Sequence, residues 1–233
     1  GLSHQASYLS SLTPRPARRS ALGEFILHKY APVEQAAGFH FKPYDTFIHT
    51  PVIREEIRSA KVMDAGHFTV YLPAIGDVQL LKQLSVFPEI RWHVFSRYTD
   101  KVYKKGNVSV FPVQNDVFIQ SFTSCTGIFT SAGFETPAEA LFMGKKLLVT
   151  PIQGQYEQQC NAVSLKEMGI PVIKRFNTRV LEELNRWIYS QLPIQVSFPD
   201  NLSEVIYMLM EKNCMIPLPR SLQSPLMLSL SSK

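Results

Sequence analysis

The sequence predicts a doubly wound α/β protein built on a parallel sheet. Three observations predict it. From Gly66 to about residue 212, short apolar runs alternate with amphipathic segments of helical spacing. The runs are short and predominantly apolar, as suits strands covered on both faces. The helical segments carry the expected punctuation, with proline early in one helix and glycine just past that helix and one other.

The elements follow in order. FTVYLP (68–73), RWHVFS (91–96), NVSVFPV (107–113), GIFTSA (127–132), KLLVTPI (146–152) and IPVIK (170–174) read as strands. VQLLKQLSVFP (78–88), DVFIQSFTSC (116–125), TPAEALFMG (136–144), EQQCNAVSLKEMG (157–169), VLEELNRWIYSQL (180–192) and LSEVIYMLMEK (202–212) read as helices. Asn115 or Asp116 is the expected cap of the second helix, and Thr136 of the third. Upstream the pattern is weaker. Residues 1–22 read as loop, flexible over 13–20, and residues 24–37 as a helix broken at Pro32. Phe39, Phe41, Phe47 and Ile48 suggest two short strands, and residues 55–66 read as a hinge. The expected organisation is a partial N-terminal segment over 1–62, a main domain over 63–216 and an irregular tail over 217–233.

Bulk properties narrow the function. Apolar residues are 45% and charged residues 18% of the 233, enough to bury a core. A net charge of +5, in scattered basic residues, suits an anionic ligand but not a dedicated nucleic-acid binder. The three cysteines, Cys125, Cys160 and Cys214, fit neither a disulfide framework nor a zinc site, so a reducing, cytoplasmic compartment is expected. No apolar run is long enough to span a membrane. The opening Gly1 reads as a tag remnant or as the cut end of a longer chain.

The chemistry concentrates in residues 131–162, SAGFETPAEALFMGKKLLVTPIQGQYEQQCNA. A strand ends in Ser131, Ala132 and Gly133, small residues that let a ligand approach the backbone. The helix that follows offers free N–H groups and a positive dipole end to a diphosphate. Phe134 and Thr136 lie at its start, and Glu139, on its first turn, can accept two ribose hydroxyls. The plain alternative is a capped helix with acids favouring its dipole. The next strand ends at Pro151, and Gly154 permits a tight turn. Gln155, Glu157, Gln158 and, one turn on, Asn161 then supply the donors and acceptors that sugar hydroxyls need.

This stretch resembles the donor signature of GT-B glycosyltransferases of the family-28 and family-1 type. That group includes the enzyme that adds N-acetylglucosamine to lipid I and the macrolide transferases. The match runs through Gly133, Glu139, Pro151, Glu157, Gln158, Asn161 and Ala162. The resemblance implies a Rossmann-like C-terminal domain preceded by the end of an acceptor domain. It also implies roles: Glu139 on the ribose, Ser131, Gly133, Phe134 and Thr136 near the diphosphate, Gln155, Glu157, Gln158 and Asn161 at the sugar. Backbone groups near Phe111 and Val113 would frame the base. The phosphate loop lacks the histidine of the plant family-1 form.

Ser3-His4-Gln5 and Thr50-Pro51-Val52-Ile53-Arg54 resemble two acceptor-domain segments. By that resemblance Arg54 approaches the diphosphate; the alternative is a solvated arginine paired with Glu55 or Glu56. His4 is the candidate on the catalytic side, against a plain terminal histidine. The resemblance implies inverting transfer from a nucleotide-diphospho-sugar, UDP type favoured, with no cofactor. It implies no metal either, in keeping with the lack of a DxD motif. The acceptor is open (lipid-linked, glycan or small molecule), and the resemblance allows a peripheral membrane contact through the acceptor domain. Two other readings stand beside it: a non-catalytic nucleotide-binding or interaction module, and an enzyme resembling UDP-sugar epimerases. No GxGxxG follows a strand, so a dehydrogenase is not expected. Phe122, Phe129, Phe134 and Phe142 are expected in core and loop packing, and Trp92 and Trp187 against the sheet.

Overall fold

The structure is a computed structural model that describes residues 1–29, 33, 35–176 and 180–213. The predicted tail, the helix break at Pro32 and Cys214 lie outside the described residues.

Among the described residues two sheets are present. The larger has six strands: β4 (His67–Tyr71), β5 (Arg91–Ser96), β6 (Tyr103–Lys105), β7 (Val108–Pro112), β8 (Gly127–Ser131) and β9 (Lys146–Thr150). Their order is β6-β7-β5-β4-β8-β9, parallel except for the antiparallel edge strand β6. The expected doubly wound sheet is therefore found. The strand order reverses direction between β4 and β8, so the crossovers on the two sides of β4 splay apart at its carboxyl end. β6 carries no apolar run and went unread in the sequence.

Side-chain alternation fills both faces. Along β8 and β9, Ile128, Leu147 and Val149 enter one core, while Phe129 and Leu148 enter the other. The first core is closed by α4 (Asn115–Ser124), α5 (Glu135–Met143) and α6 (Tyr156–Glu167), and holds Phe122, Leu141 and Leu165. The second is closed by α3 (Asp77–Leu84) and α7 (Val180–Tyr189), and holds Leu80, Trp92, Leu184 and Trp187. Burial of each such side chain contributes roughly 1.5–3 kcal/mol before ordering costs. Gly144, expected just past the helix end, closes α5 in the left-handed conformation at φ 65.

The smaller sheet joins β1 (Leu2–Ser3), β2 (Ala37–Phe39) and β3 (Ile48–His49) in parallel, with a 3-10 turn over Gln5–Leu9 and α1 (Ala21–Lys29). Residues 1–22 are thus not all loop. The stretch expected to be flexible is anchored: Thr13 donates to Ser7 O at 2.5 Å and Arg15 donates to Tyr8 O at 2.7 Å. A Cβ on Gly23 would lie 2.3 Å from the Tyr156 ring, so only glycine lets α1 approach α6 this closely. α8 (Leu202–Asn213) returns to this layer, where Val205 packs on Ala37 and Phe39.

The expected hinge is a short helix, α2 (Glu55–Arg58), and an extended connector pinned to the main sheet. Met63 N donates to Thr123 O at 3.1 Å and Ala65 N to Ser124 O at 2.8 Å. The buried Lys145 ammonium donates to Met63 O at 2.5 Å and Cys125 O at 2.7 Å. The predicted strand at 170–174 contracts to one bridge, Val149 to Val172, because Pro171 has no N–H to extend the ladder. Among the described residues no helix is long and apolar enough to cross a membrane.

Candidate functional site

A cavity of about 480 Å³ opens at the carboxyl ends of β4, β8 and β9. Pro73, Ala74 and Ile75 wall it after β4, Ser131 after β8, and Thr150 to Gln153 after β9. Gln79 of α3 and the residues Arg175 and Phe176 complete it. This is the switch point of the sheet, where strand ends diverge and leave backbone groups unpaired. Of the candidates named from the sequence, Ser131 and the strand end at Pro151 line it. No group of three or more metal-ligating side chains occurs among the described residues.

A second cluster lies at the start of α5. The buried Glu139 carboxylate receives Arg54 Nε at 2.6 Å and Arg54 Nη2 at 2.9 Å, a bidentate pair. Arg54 Nη1 also reaches Asn115 Oδ1 at 3.4 Å, which brings in the loop carrying Val113. The carboxylate raises the Arg54 pKa above its ordinary value. Neither partner suggested for Arg54 from the sequence, Glu55 or Glu56, makes this contact. Exposed Val113 follows β7, and Phe111 stacks on Phe95 with centroids 5.4 Å apart.

The cap expectations are corrected. α5 begins at Glu135, with Phe134 at the N-cap position and no side-chain cap bond. Thr136 therefore sits inside the first turn and does not cap it. α4 begins at Asn115 behind Gln114, again without a side-chain cap, so neither Asn115 nor Asp116 plays that part. A Cβ at Gly133 would meet open space, so the loop before α5 is uncrowded.

A third cluster joins α6 to the N-terminal layer. Phe41 N–H donates to His40 Nδ1 at 2.9 Å, which places the His40 proton on Nε2, 3.3 Å from Tyr8 Oη. The Tyr8 hydroxyl donates to Asn161 Oδ1, and Asn161 Nδ2 donates to Ala132 O at 3.1 Å. His4 stacks on Phe134 with centroids 3.8 Å apart, and its Nδ1 lies 2.7 Å from Phe39 O. Its Nε2 lies 3.0 Å from Asn161 Oδ1 and 3.6 Å from Glu157 Oε1. Burial lowers the pKa of both His4 and His40 and raises that of Tyr8.

The remaining α6 candidates also meet protein groups. Gln5 Nε2 donates to Glu157 Oε2 at 2.9 Å. Gln158 receives the Ile152 N–H at 3.0 Å and donates to Gln155 Oε1 at 2.7 Å, across the turn that Gly154 makes at φ 84. Gln155 is exposed, while Asn161 is fully buried and holds α6 against the β8 loop. The structure thus gathers His4, Phe134, Glu157 and Asn161 in one cluster and Arg54 and Glu139 in another. Sequence reasoning missed Tyr8, His40, Gln79, Gln153 and Arg175. For His40 a weak signal existed, a single polar residue between Phe39 and Phe41 on a buried strand end. Cys125 and Cys160 are free and buried as expected, and burial pushes both thiols up to about 11.

The parallel sheet and the cavity at its switch point define a doubly wound α/β protein with a cavity at its carboxyl edge. The chain belongs to glycosyl transferase family 1, whose sequence profile matches residues 33–190, and the resemblance to GT-B glycosyltransferases is borne out. No curated protein matches it. Similar solved structures include the glycosyltransferase SnogD from Streptomyces nogalater, at 18% identity over 78% of this chain and 47% of that one, TM-score 0.43. The spinosyn forosaminyltransferase SpnP matches at 16% identity over 80% and 58%, TM-score 0.47. The glycosyltransferase VinC in complex with DTDP matches at 16% identity over 79% and 46%, TM-score 0.40. The chain spans about half the length of these proteins.

Proposed function

We propose that this chain is the donor-binding half of an inverting glycosyltransferase. It takes a nucleotide-diphospho-sugar, UDP type favoured, in the cleft at the carboxyl edge of the main sheet. The hexosyl group passes to a lipid-linked, glycan or small-molecule acceptor. The acceptor site and the general base belong to an acceptor domain of which the β1-β2-β3 layer is the end. Any peripheral membrane contact would be made through that domain. The cavity beside Ser131 and Pro151 supports this reading, since it lies where the carboxyl ends of the parallel strands diverge, the place such sheets bind ligands. In the transfer step a base takes the acceptor hydroxyl proton, that oxygen attacks the anomeric carbon, and the nucleoside diphosphate leaves with the bond pair. Charge on the leaving group is met by N–H groups and a guanidinium, with no cofactor. Two buried free thiols fit a reducing cytoplasm.

Calorimetric titration with UDP, dTDP and their hexosyl conjugates tests the reading. Binding of at least one nucleoside diphosphate is expected, and silence from all of them would overturn it.

One observation favours a second reading, a non-catalytic binding module. Glu139 and Glu157, the two acids that would hold ribose and sugar, already contact Arg54 and Gln5. On that reading Glu139→Ala leaves the partner function intact.

A further inference from the structure

The donor's diphosphate brings negative charge into the cleft, and Arg54, the arginine that the sequence resemblance implies for it, is committed to Glu139 through two nitrogens. The cavity has a cation of its own. Arg175 lines it, is exposed, and has no hydrogen-bond or ion-pair partner among the described residues. Its backbone is braced from both sides. Gln79 Nε2 donates to Phe176 O at 2.9 Å, and Gln153 Nε2 donates to Lys174 O at 3.1 Å. Both glutamines line the same cavity, so the carbonyls on either side of Arg175 are tied to opposite walls.

The wall is otherwise free of formal charge. Its other residues are apolar or neutral polar, and no carboxylate is among them. A guanidinium that lines the same cavity as the strand-end hydroxyls of Ser131 and Thr150 favours an anion of phosphate geometry. The two glutamines have spent amide donors on the backbone, so they brace the arginine and leave its charge intact.

We propose that Arg175, and not Arg54, meets the diphosphate of the donor and sets the preference for a charged nucleotide over the bare nucleoside. The proposal rests on the reading of the cavity as the donor site. Its separate content is which side chain answers the charge.

The test is calorimetric titration of the whole chain with UDP and dTDP, with uridine measured by competition, at two salt concentrations. Wild type is compared with Arg175→Gln, Arg175→Lys and Arg54→Gln. Arg175→Gln is expected to weaken both diphosphates about tenfold or more, as loss of a charge-assisted contact does. It should leave uridine unchanged and flatten the salt dependence, while Arg175→Lys retains an intermediate affinity. Wild-type affinity for UDP in Arg175→Gln, with Arg54→Gln impaired instead, would overturn the proposal and leave the donor reading standing. Equal weakening of uridine and UDP would assign Arg175 a bracing role and overturn it as well. If wild type binds no nucleoside diphosphate, the donor reading falls and the proposal with it.

Discussion

Arg54 and Glu139 stand 85 positions apart in the chain and meet as a two-point ion pair, with Glu139 2% exposed and Arg54 38% exposed. The pair ties the exit of the N-terminal layer to the first turn of α5. A ribose diol would present two O–H donors to the same two carboxylate oxygens that the two Arg54 N–H groups now occupy.

Breaking the pair one side at a time gives unequal costs. Arg54→Ala strands a buried carboxylate, while Glu139→Ala strands an arginine that can turn to water. Removal of one partner from a fully buried pair costs about 3–5 kcal/mol. The half-open Arg54 side lowers that to roughly 1–3 kcal/mol for Arg54→Ala. Glu139→Ala should cost less, and denaturant midpoints of the two variants check the order.

Tyr8→Phe deletes the hydroxyl between His40 and Asn161. Both neighbours are fully buried and keep their polar atoms. The expected loss is about 1–3 kcal/mol, the cost of buried groups left unpaired. Thermal melting of the variant measures it, and a change near zero would show that water takes the hydroxyl's place.

Acid should loosen the N-terminal layer first. His40 accepts the Phe41 N–H at Nδ1, an arrangement open only to the neutral ring, and burial holds its pKa well below 6.5. The unfolded chain therefore takes up this proton first. Stability is flat above about pH 6.5 and falls as pH drops below it. Stacked His67 and His93, with His93 lowered to about 4, add to the same slope in the main domain. Unfolding midpoints between pH 7.5 and 4.5 check the sign, and His40→Asn should remove part of the slope.

Lys145→Met keeps bulk and removes the ammonium that holds Met63 O and Cys125 O. Amide hydrogen exchange over residues 59–66 should quicken, with α5 unaffected. Uniform quickening over the whole domain would point to global destabilisation instead.

The parallel strands of the main sheet were legible because they are short, mostly apolar runs of about five residues between glycine and proline signals. In the N-terminal layer β2 and β3 were legible from Phe39 and Ile48, but β1 was not, because it is two residues long and carries no periodicity. Helix starts were misjudged where caps were sought in side chains. The breaks before α4, α5 and α6 come from the loop backbone, and no side-chain cap bond forms there. The candidate site was legible as a list of polar residues and not as a set of pairs. Glu139 and Asn161 stand out locally, but their partners Arg54 and Tyr8 come from far upstream, and only the packing of α5 and α6 on that layer joins them.

β6 gives the sheet an edge of three residues, two of them the exposed lysines Lys104 and Lys105. A second molecule aligning its own open edge there would bring like charges together along a strand too short to repay the cost. Concentrated solutions should therefore resist strand-by-strand stacking at this end of the sheet. Neutralising those two positions together is the change that would expose the protein to fibrous association.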